Sequence, residues 1–228
     1  MAGGPTVRVS DLVVPVKELR LAKTRLAPAS AAAADPDDPA VLHARLALAL
    51  AADTLAAVLA SGVARVAVVT PDPRVAGLAP DGTTARPLPV ADPGRGLNAA
   101  IRAGIDALAG DAPVAALLAD LPALRPAALD DALRAAGRAL RDAPAAFVAD
   151  HTGTGTALLV LRRDFTPRFG PGSAAAHRAA GAVALDGDWP GLRHDVDTPA
   201  DLAEVRALGV GPATLAWPAV PAVAAGSR

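Results

Sequence analysis

Three groups of residues in this 228-residue chain have the types and spacing for chemistry on phosphates. The first is cationic. Lys17, Arg20, Lys23 and Arg25 crowd into nine positions, directly after a short apolar run that ends at Pro15. The formal net charge is −1, so this is a local concentration of cation. In α/β proteins, ligands bind outside the carboxyl ends of parallel strands. Cations placed there suit an anion, with a nucleoside triphosphate the leading candidate. A solvated basic loop is the plain alternative.

The second group is acidic. Asp120 follows the apolar run Pro-Val-Ala-Ala-Leu-Leu-Ala and precedes Leu121 and Pro122, where the carboxyl end of a central strand is expected. A carboxylate there can hold Mg²⁺, a hard cation that binds through one or two carboxylates plus substrate phosphates. Otherwise it closes the turn before Pro122. Residues 193–202 read Arg-His-Asp-Val-Asp-Thr-Pro-Ala-Asp-Leu. Thr198, Pro199 and Asp201 spell a helix start: cap, proline in the first turn, acid at the third position. That leaves Asp195 and Asp197 unexplained. Alternation along an extended segment puts both on one face. Asp195 lies deeper in the predicted strand and is the preferred second metal ligand. Asp197 is the alternative, or a group that orients the helix or the ligands.

The third group is glycine-rich. Residues 150–156 read Asp-His-Thr-Gly-Thr-Gly-Thr, and 169–177 read Phe-Gly-Pro-Gly-Ser-Ala-Ala-Ala-His. Glycines let backbone N–H groups approach a ligand closely. Ser173 reads as the cap of a short helix over 174–180, whose start is a ready anion site. A flexible hairpin and an ordinary cap are the plain alternatives. His151 and His177 read as surface or cap residues. Gly94-Arg95-Gly96-Leu97-Asn98 opens a helix and suits a nucleotide-contact loop. It lacks the third glycine and the acidic residue of a dinucleotide fingerprint. Neither a Walker loop nor a G-x-S-x-G elbow occurs.

These residues need elements to hold them. Short β-branched or apolar runs at 63–70, 113–119, 145–149 and 156–161 read as strands. Helical patterns fall at 40–60, 97–108, 127–140 and 199–208. The alternation predicts a single α/β domain, three-layered, with a mostly parallel central sheet covered on both faces. The runs at 145–149 and 156–161 are expected as an antiparallel hairpin added to that sheet. Residues 29–39 read as a mobile loop, and the tail from 209 to 228 as poorly ordered.

Composition narrows the function. Aromatics make up 2% with no Tyr, which disfavours a base-stacking nucleic-acid surface. A pI near 6.4 argues the same way. The absence of Cys excludes disulfides, thiolate metal sites and a Cys nucleophile. The alanine-rich stretch at 40–60 is interrupted by His43, Arg45 and Asp53, so no membrane span is expected. The start of the chain has no signal-peptide pattern. A cytoplasmic protein is the expectation.

Taken in order, the segments resemble one family. They are Pro-Val-Lys, Leu-Ala-Lys-Thr-Arg-Leu, Gly-Leu-Asn, Ala-Asp-Leu-Pro-Ala-Leu, Gly-Thr-Gly-Thr, Phe-Gly-Pro-Gly-Ser and Asp-Val-Asp-Thr-Pro-Ala-Asp-Leu. This series is similar to the 2-phospho-L-lactate and phosphoenolpyruvate guanylyltransferases of coenzyme F-420 biosynthesis, from about residue 11 to 208. The Asp-Leu-Pro and Asp-x-Asp-Thr-Pro pieces are shared with nucleotidyltransferases of the molybdopterin guanylyltransferase type. Residues 31–39 depart from the compact form of the pattern.

The resemblance implies a nucleotidyltransferase fold of the Rossmann-like, GT-A type over 7–208. It implies GTP and a phosphorylated three-carbon acid as substrates, with pyrophosphate released. The alanine- and arginine-rich composition favours phosphoenolpyruvate as the acid. Lys17, Lys23 and Arg25 would hold the triphosphate, with Gly96 and Asn98 also on the nucleotide. Asp120 and Asp195 would hold Mg²⁺. Thr156, Gly170 and Ser173 would hold the acceptor phosphate. An activated product suits hand-off to the next transferase of the pathway. The competing readings are a cytidylyl-, sugar- or molybdopterin-type nucleotidyltransferase of the same fold, and a GTP-binding protein without turnover.

Overall fold

A computed structural model describes residues 7–16, 39–76, 78 and 86–217. Lys17, Lys23 and Arg25 lie outside the described residues, as do 29–38 of the expected loop. Seven strands form one sheet: β1 (Asp11–Pro15), β2 (Arg65–Val69), β3 (Leu88–Val90), β4 (Val114–Leu117), β5 (Ala145–Ala149), β6 (Thr156–Leu161) and β7 (Val183–Ala184). Their order across the sheet is β3-β2-β1-β4-β6-β5-β7. β1 pairs in parallel with β2 and β4, β2 with β3, and β5 with β7. Only β6 opposes its neighbours, antiparallel to both β4 and β5. The hairpin expected as an addition is therefore built into the sheet, with its second strand inserted between β4 and β5.

The strands are continuously apolar because both sheet faces are covered. Leu12 and Val14 of β1 enter one core cluster, and Val13 between them enters the other. On the first face lie α1 (Pro39–Leu59) and α4 (Pro126–Ala139). On the second face lies α3 (Leu97–Ala107), through Ile101 and Ile105. The short α2 (Pro73–Ala76) follows β2. Gly104 lets α3 sit close, since a Cβ there would collide with the side chains of Val13 and Val69.

Helix α1 is apolar on nearly every side, and the packing explains it. Ala44, Ala47, Ala51 and Leu55 face the sheet, while Leu42, Leu46 and Leu50 face a third cluster. The span Val41–Leu59 is long and apolar enough to cross a bilayer by length and composition, contrary to the sequence reading, but 67% of it is buried. A helix hydrophobic all round fits the core of a protein as well as a membrane.

The third cluster draws on later elements. After β6 the chain forms four more helices in order, α5 (Ser173–Ala179), α6 (Pro190–Arg193), α7 (Pro199–Leu208) and α8 (Pro212–Leu215). Of them, α7 contributes Leu202 and Val205 to the cluster, and Trp217 closes it. The first part of the expected loose tail is thus packed. Asp53 of α1 accepts the Ala213 and Thr214 N–H groups at 3.0 and 2.7 Å, so the body extends to Trp217.

Candidate active site

One edge of the sheet collects most of the singled-out residues. Strands β1 to β4 are mutually parallel, so the chain leaves all four at the same edge. Val16 follows β1, residues 91–96 follow β3, and Asp120 follows β4. Because β6 runs the other way, its first residue, Thr156, lies at that edge too. The turn 150–155 that joins β5 to β6 is there as well.

Asp120, Asp195 and Asp197 come together, with carboxylate oxygens within 4.8 Å of one another. The strand expected through Asp195 does not form. Residues 194–197 are an extended link between α6 and α7. What holds the link beside β4 is the Val196 N–H, which donates to the Asp120 carbonyl at 3.1 Å. Val196 is fully buried in the third cluster, so its neighbours Asp195 and Asp197 turn outward together. At the end of the link, Thr198 and Asp201 form a reciprocal capping box on α7. Asp201 also accepts the Asp197 N–H at 3.0 Å.

A residue the sequence reading missed sets the other side. Thr54 on α1 is fully buried. Its hydroxyl accepts the Leu121 N–H at 3.0 Å and lies 3.1 Å from the Ala119 carbonyl. It thus grips the chain on both sides of Asp120. Three carboxylates held this way supply the oxygen ligands that a hard divalent cation requires. No pattern around Thr54 marks it in sequence, since its partners lie 65 and 67 positions away.

A second group of potential ligands, His151, His194 and Asp201, lies nearby. The two imidazoles stack at 4.1 Å with their planes 2° apart. Parallel rings keep their in-plane lone pairs parallel, which opposes convergence on one ion. Asp201 is already occupied with the helix cap. The carboxylate trio is therefore the better cation site.

The two glycine-rich segments differ from expectation. In the turn 150–155, the Asp150 carboxylate accepts the Thr154 and Gly155 N–H groups at 3.1 and 2.9 Å. Those donors are engaged internally. In the other segment, Gly172 at φ 71° is the helix cap, and Ser173 is the first residue of α5. Ser173 does not cap. Its buried hydroxyl donates to the Thr156 hydroxyl at 3.1 Å. Gly170, at φ 142°, is exposed and brings backbone to the surface beside them.

His177 is the hub beneath this loop and not the surface or cap residue that its sequence context suggests. It is fully buried, with Nδ1 3.0 Å from Thr156 Oγ1. Its Nε2 accepts the Arg168 N–H at 3.0 Å. Phe147, Phe165 and Phe169 surround the ring. Burial first, and the Arg168 charge second, push its pKa down to about 4. Asn98 ties the same loop to α3. Its amide donates to the Phe169 carbonyl at 2.9 Å and accepts the Phe169 N–H at 2.8 Å. Gly96, at φ 86°, caps α3 with exposed backbone.

Comparison with known proteins agrees with this fold. Residues 40–185 match the family model of the MobA-like NTP transferase domain. A phosphoenolpyruvate guanylyltransferase of Geodermatophilus obscurus is 53% identical, over 92% of this chain and 94% of that one. One from Salinispora arenicola is 50% identical, over 91% and 92%. Among solved structures, a nucleotidyl transferase from Methanothermobacter superposes with a TM-score of 0.62 at 17% identity, covering 88% of this chain and 96% of that one. A Mycobacterium tuberculosis protein solved with manganese gives 0.51 at 19%, covering 88% and 98%. These last two share the fold. The chain belongs to the MobA-like NTP transferases and, within them, to the phosphoenolpyruvate guanylyltransferase family, and it is a nucleotidyltransferase.

Proposed function

We propose that the protein transfers GMP from GTP to the phosphate of phosphoenolpyruvate, giving enolpyruvyl-diphospho-guanosine and pyrophosphate in coenzyme F-420 biosynthesis. One observation carries the reading: relatives named for this acceptor and this transfer are 45–53% identical over about nine tenths of the chain. An acceptor phosphate oxygen attacks the α-phosphorus of GTP in line. A new P–O–P bond forms, the bond to the bridging β-phosphate oxygen breaks, and pyrophosphate leaves with that electron pair. A phosphate is already an anion at neutral pH, so no general base is needed.

Repulsion between two polyanions is the main obstacle, and the proposed residue roles address it. Lys17, Lys23 and Arg25 hold the triphosphate and the leaving pyrophosphate. Asp120 and Asp195, with Asp197 beside them, hold Mg²⁺; the convergence of their oxygens within 4.8 Å supports this. Bound there, Mg²⁺ neutralises charge and orients phosphates. Gly96 offers backbone to the nucleotide, and Asn98 orders that loop against Phe169. Thr156 and Gly170 hold the acceptor phosphate, and Ser173 serves the same site through the hydrogen bond its hydroxyl donates to Thr156. A cytoplasmic setting suits a reaction between GTP and phosphoenolpyruvate, and the activated product suits direct hand-off to the next transferase.

The test is pyrophosphate release by the purified protein with GTP and Mg²⁺, comparing phosphoenolpyruvate, 2-phospho-L-lactate and no acceptor. Release that depends on phosphoenolpyruvate is expected. Release only with 2-phospho-L-lactate would reassign the acceptor, and release with neither would overturn the reading.

A further inference from the structure

Thr156, the residue assigned above to the acceptor phosphate, is buried and its hydroxyl is held from two sides. A hydroxyl has one hydrogen and two lone pairs. Ser173 Oγ donates to one lone pair at 3.1 Å. His177 Nδ1 lies 3.0 Å from the same oxygen. Which of the two donates there is decided at the far side of the ring. Nε2 faces the Arg168 N–H at 3.0 Å and must accept. A neutral imidazole with an accepting Nε2 carries its proton on Nδ1. Nδ1 therefore donates to Thr156. Both lone pairs of the Thr156 oxygen are taken, and what remains is its own hydrogen.

We infer that His177 is the positioning residue of the acceptor-phosphate site, filling the Thr156 oxygen's lone pairs together with Ser173 so that the hydroxyl meets the acceptor phosphate as a donor. The chain of bonds runs from the Arg168 backbone through the imidazole to the hydroxyl, and such chains polarise one another. The same imidazole anchors the loop that carries Gly170, through Arg168. The ring stays neutral because burial disfavours its charged form, so the direction of donation is stable around neutral pH. His177 itself touches no substrate. This inference rests on the assignment of phosphoenolpyruvate as acceptor.

Two substitutions separate the halves of the ring. His177→Gln can keep an acceptor at the Nε2 position but loses the donor to Thr156. His177→Asn keeps a donor at the Nδ1 position. Steady-state kinetics with GTP, Mg²⁺ and phosphoenolpyruvate should show KM for phosphoenolpyruvate raised about tenfold in His177→Gln, the value of one hydrogen bond. KM for GTP and kcat should stay within about twofold, and His177→Asn should recover most of the loss. In a Thr156→Val background, His177→Gln should add nothing.

A shared rise in both KM values, or an additive double variant, would overturn the inference and reduce His177 to a core residue. Wild-type protein inactive with phosphoenolpyruvate would overturn the proposed function, and this inference with it. Active wild type with unaltered variants would overturn this inference alone. Nitrogen-15 NMR of the wild-type histidines gives a readout that needs no variant to fold: His177 should be the Nδ1–H tautomer, and an Nε2–H tautomer refutes the mechanism.

Discussion

Thr54 holds Asp120 in place through the peptide groups on either side of it. The buried hydroxyl accepts the Leu121 N–H at 3.0 Å and reaches the Ala119 carbonyl at 3.1 Å, the peptide groups on either side of the acid. It also lies 2.9 Å from the Leu50 carbonyl one turn back on α1. A helix that mainly serves the core thus also sets the direction of the central carboxylate.

Thr54→Val keeps the shape and removes the hydroxyl. It leaves the buried Leu121 N–H without that partner, at a cost of about 1–3 kcal/mol. Urea unfolding should show that loss, and pyrophosphate release should fall by more than stability explains. Thr54→Ser should restore both.

Asp120→Asn and Asp195→Asn remove charge where the cation is proposed to sit. Turnover should drop on the order of a hundredfold or more, several kcal/mol of transition-state stabilisation. A chelator should abolish wild-type activity and added Mg²⁺ should return it. Asp197→Asn, on the more exposed member of the trio, should mainly raise the Mg²⁺ concentration needed. An unchanged Asp120→Asn enzyme would remove the metal assignment.

Asp53→Ala should release the segment that ends at Trp217. Two backbone N–H groups, of Ala213 and Thr214, depend on that carboxylate. Each buried donor left without a partner costs about 1–3 kcal/mol. Limited proteolysis should cut after residue 209 in the variant and spare the wild type, with a red shift in tryptophan fluorescence.

Gly104→Ala puts a methyl group into the side chains of Val13 and Val69. Overpacking of this kind costs about 1–3 kcal/mol. Thermal unfolding should register a lower Tm, and kcat should change little because the site edge is left intact.

Stability should fall in acid through His177. Its pKa is about 4 in the folded protein against 6.5 for the free group. Between those values the unfolded chain binds a proton that the folded chain refuses, so the unfolded state gains. The contribution is fully present above about pH 6.5 and is lost as pH falls towards 4. In His177→Gln, urea midpoints across that window should show a correspondingly smaller dependence on pH.

Much of the scaffold was legible because it depends on local pattern. The runs at 145–149 and 156–161 are the observed β5 and β6, residue for residue. The Thr198–Asp201 start of α7 was readable from residue type alone, since a capping box is complete within four positions. The hairpin's place was not. That β6 pairs with β4 depends on contacts more than 40 residues apart, such as Val114 with Leu161. The glycine-rich turn misled for a different, local reason: Asp150 engages the N–H groups of Thr154 and Gly155, four and five positions on, that glycine content alone leaves open to a ligand.

By itself, the sequence determined the family, the strand and helix alternation, and the acids and glycines from which a site is made. Spacing carries that information because strands and helices repeat over a few residues. Tertiary structure alone decided that Asp195 and Asp197 meet Asp120, that Thr54 steadies it, and that His177 lies under Thr156 rather than at the surface. Each of these joins segments distant in sequence, and in two of them one partner is a backbone group that every residue possesses: the Asp120 carbonyl for Val196 and the Leu121 N–H for Thr54. Identity cannot encode such a bond; only the packing that buries both partners selects it.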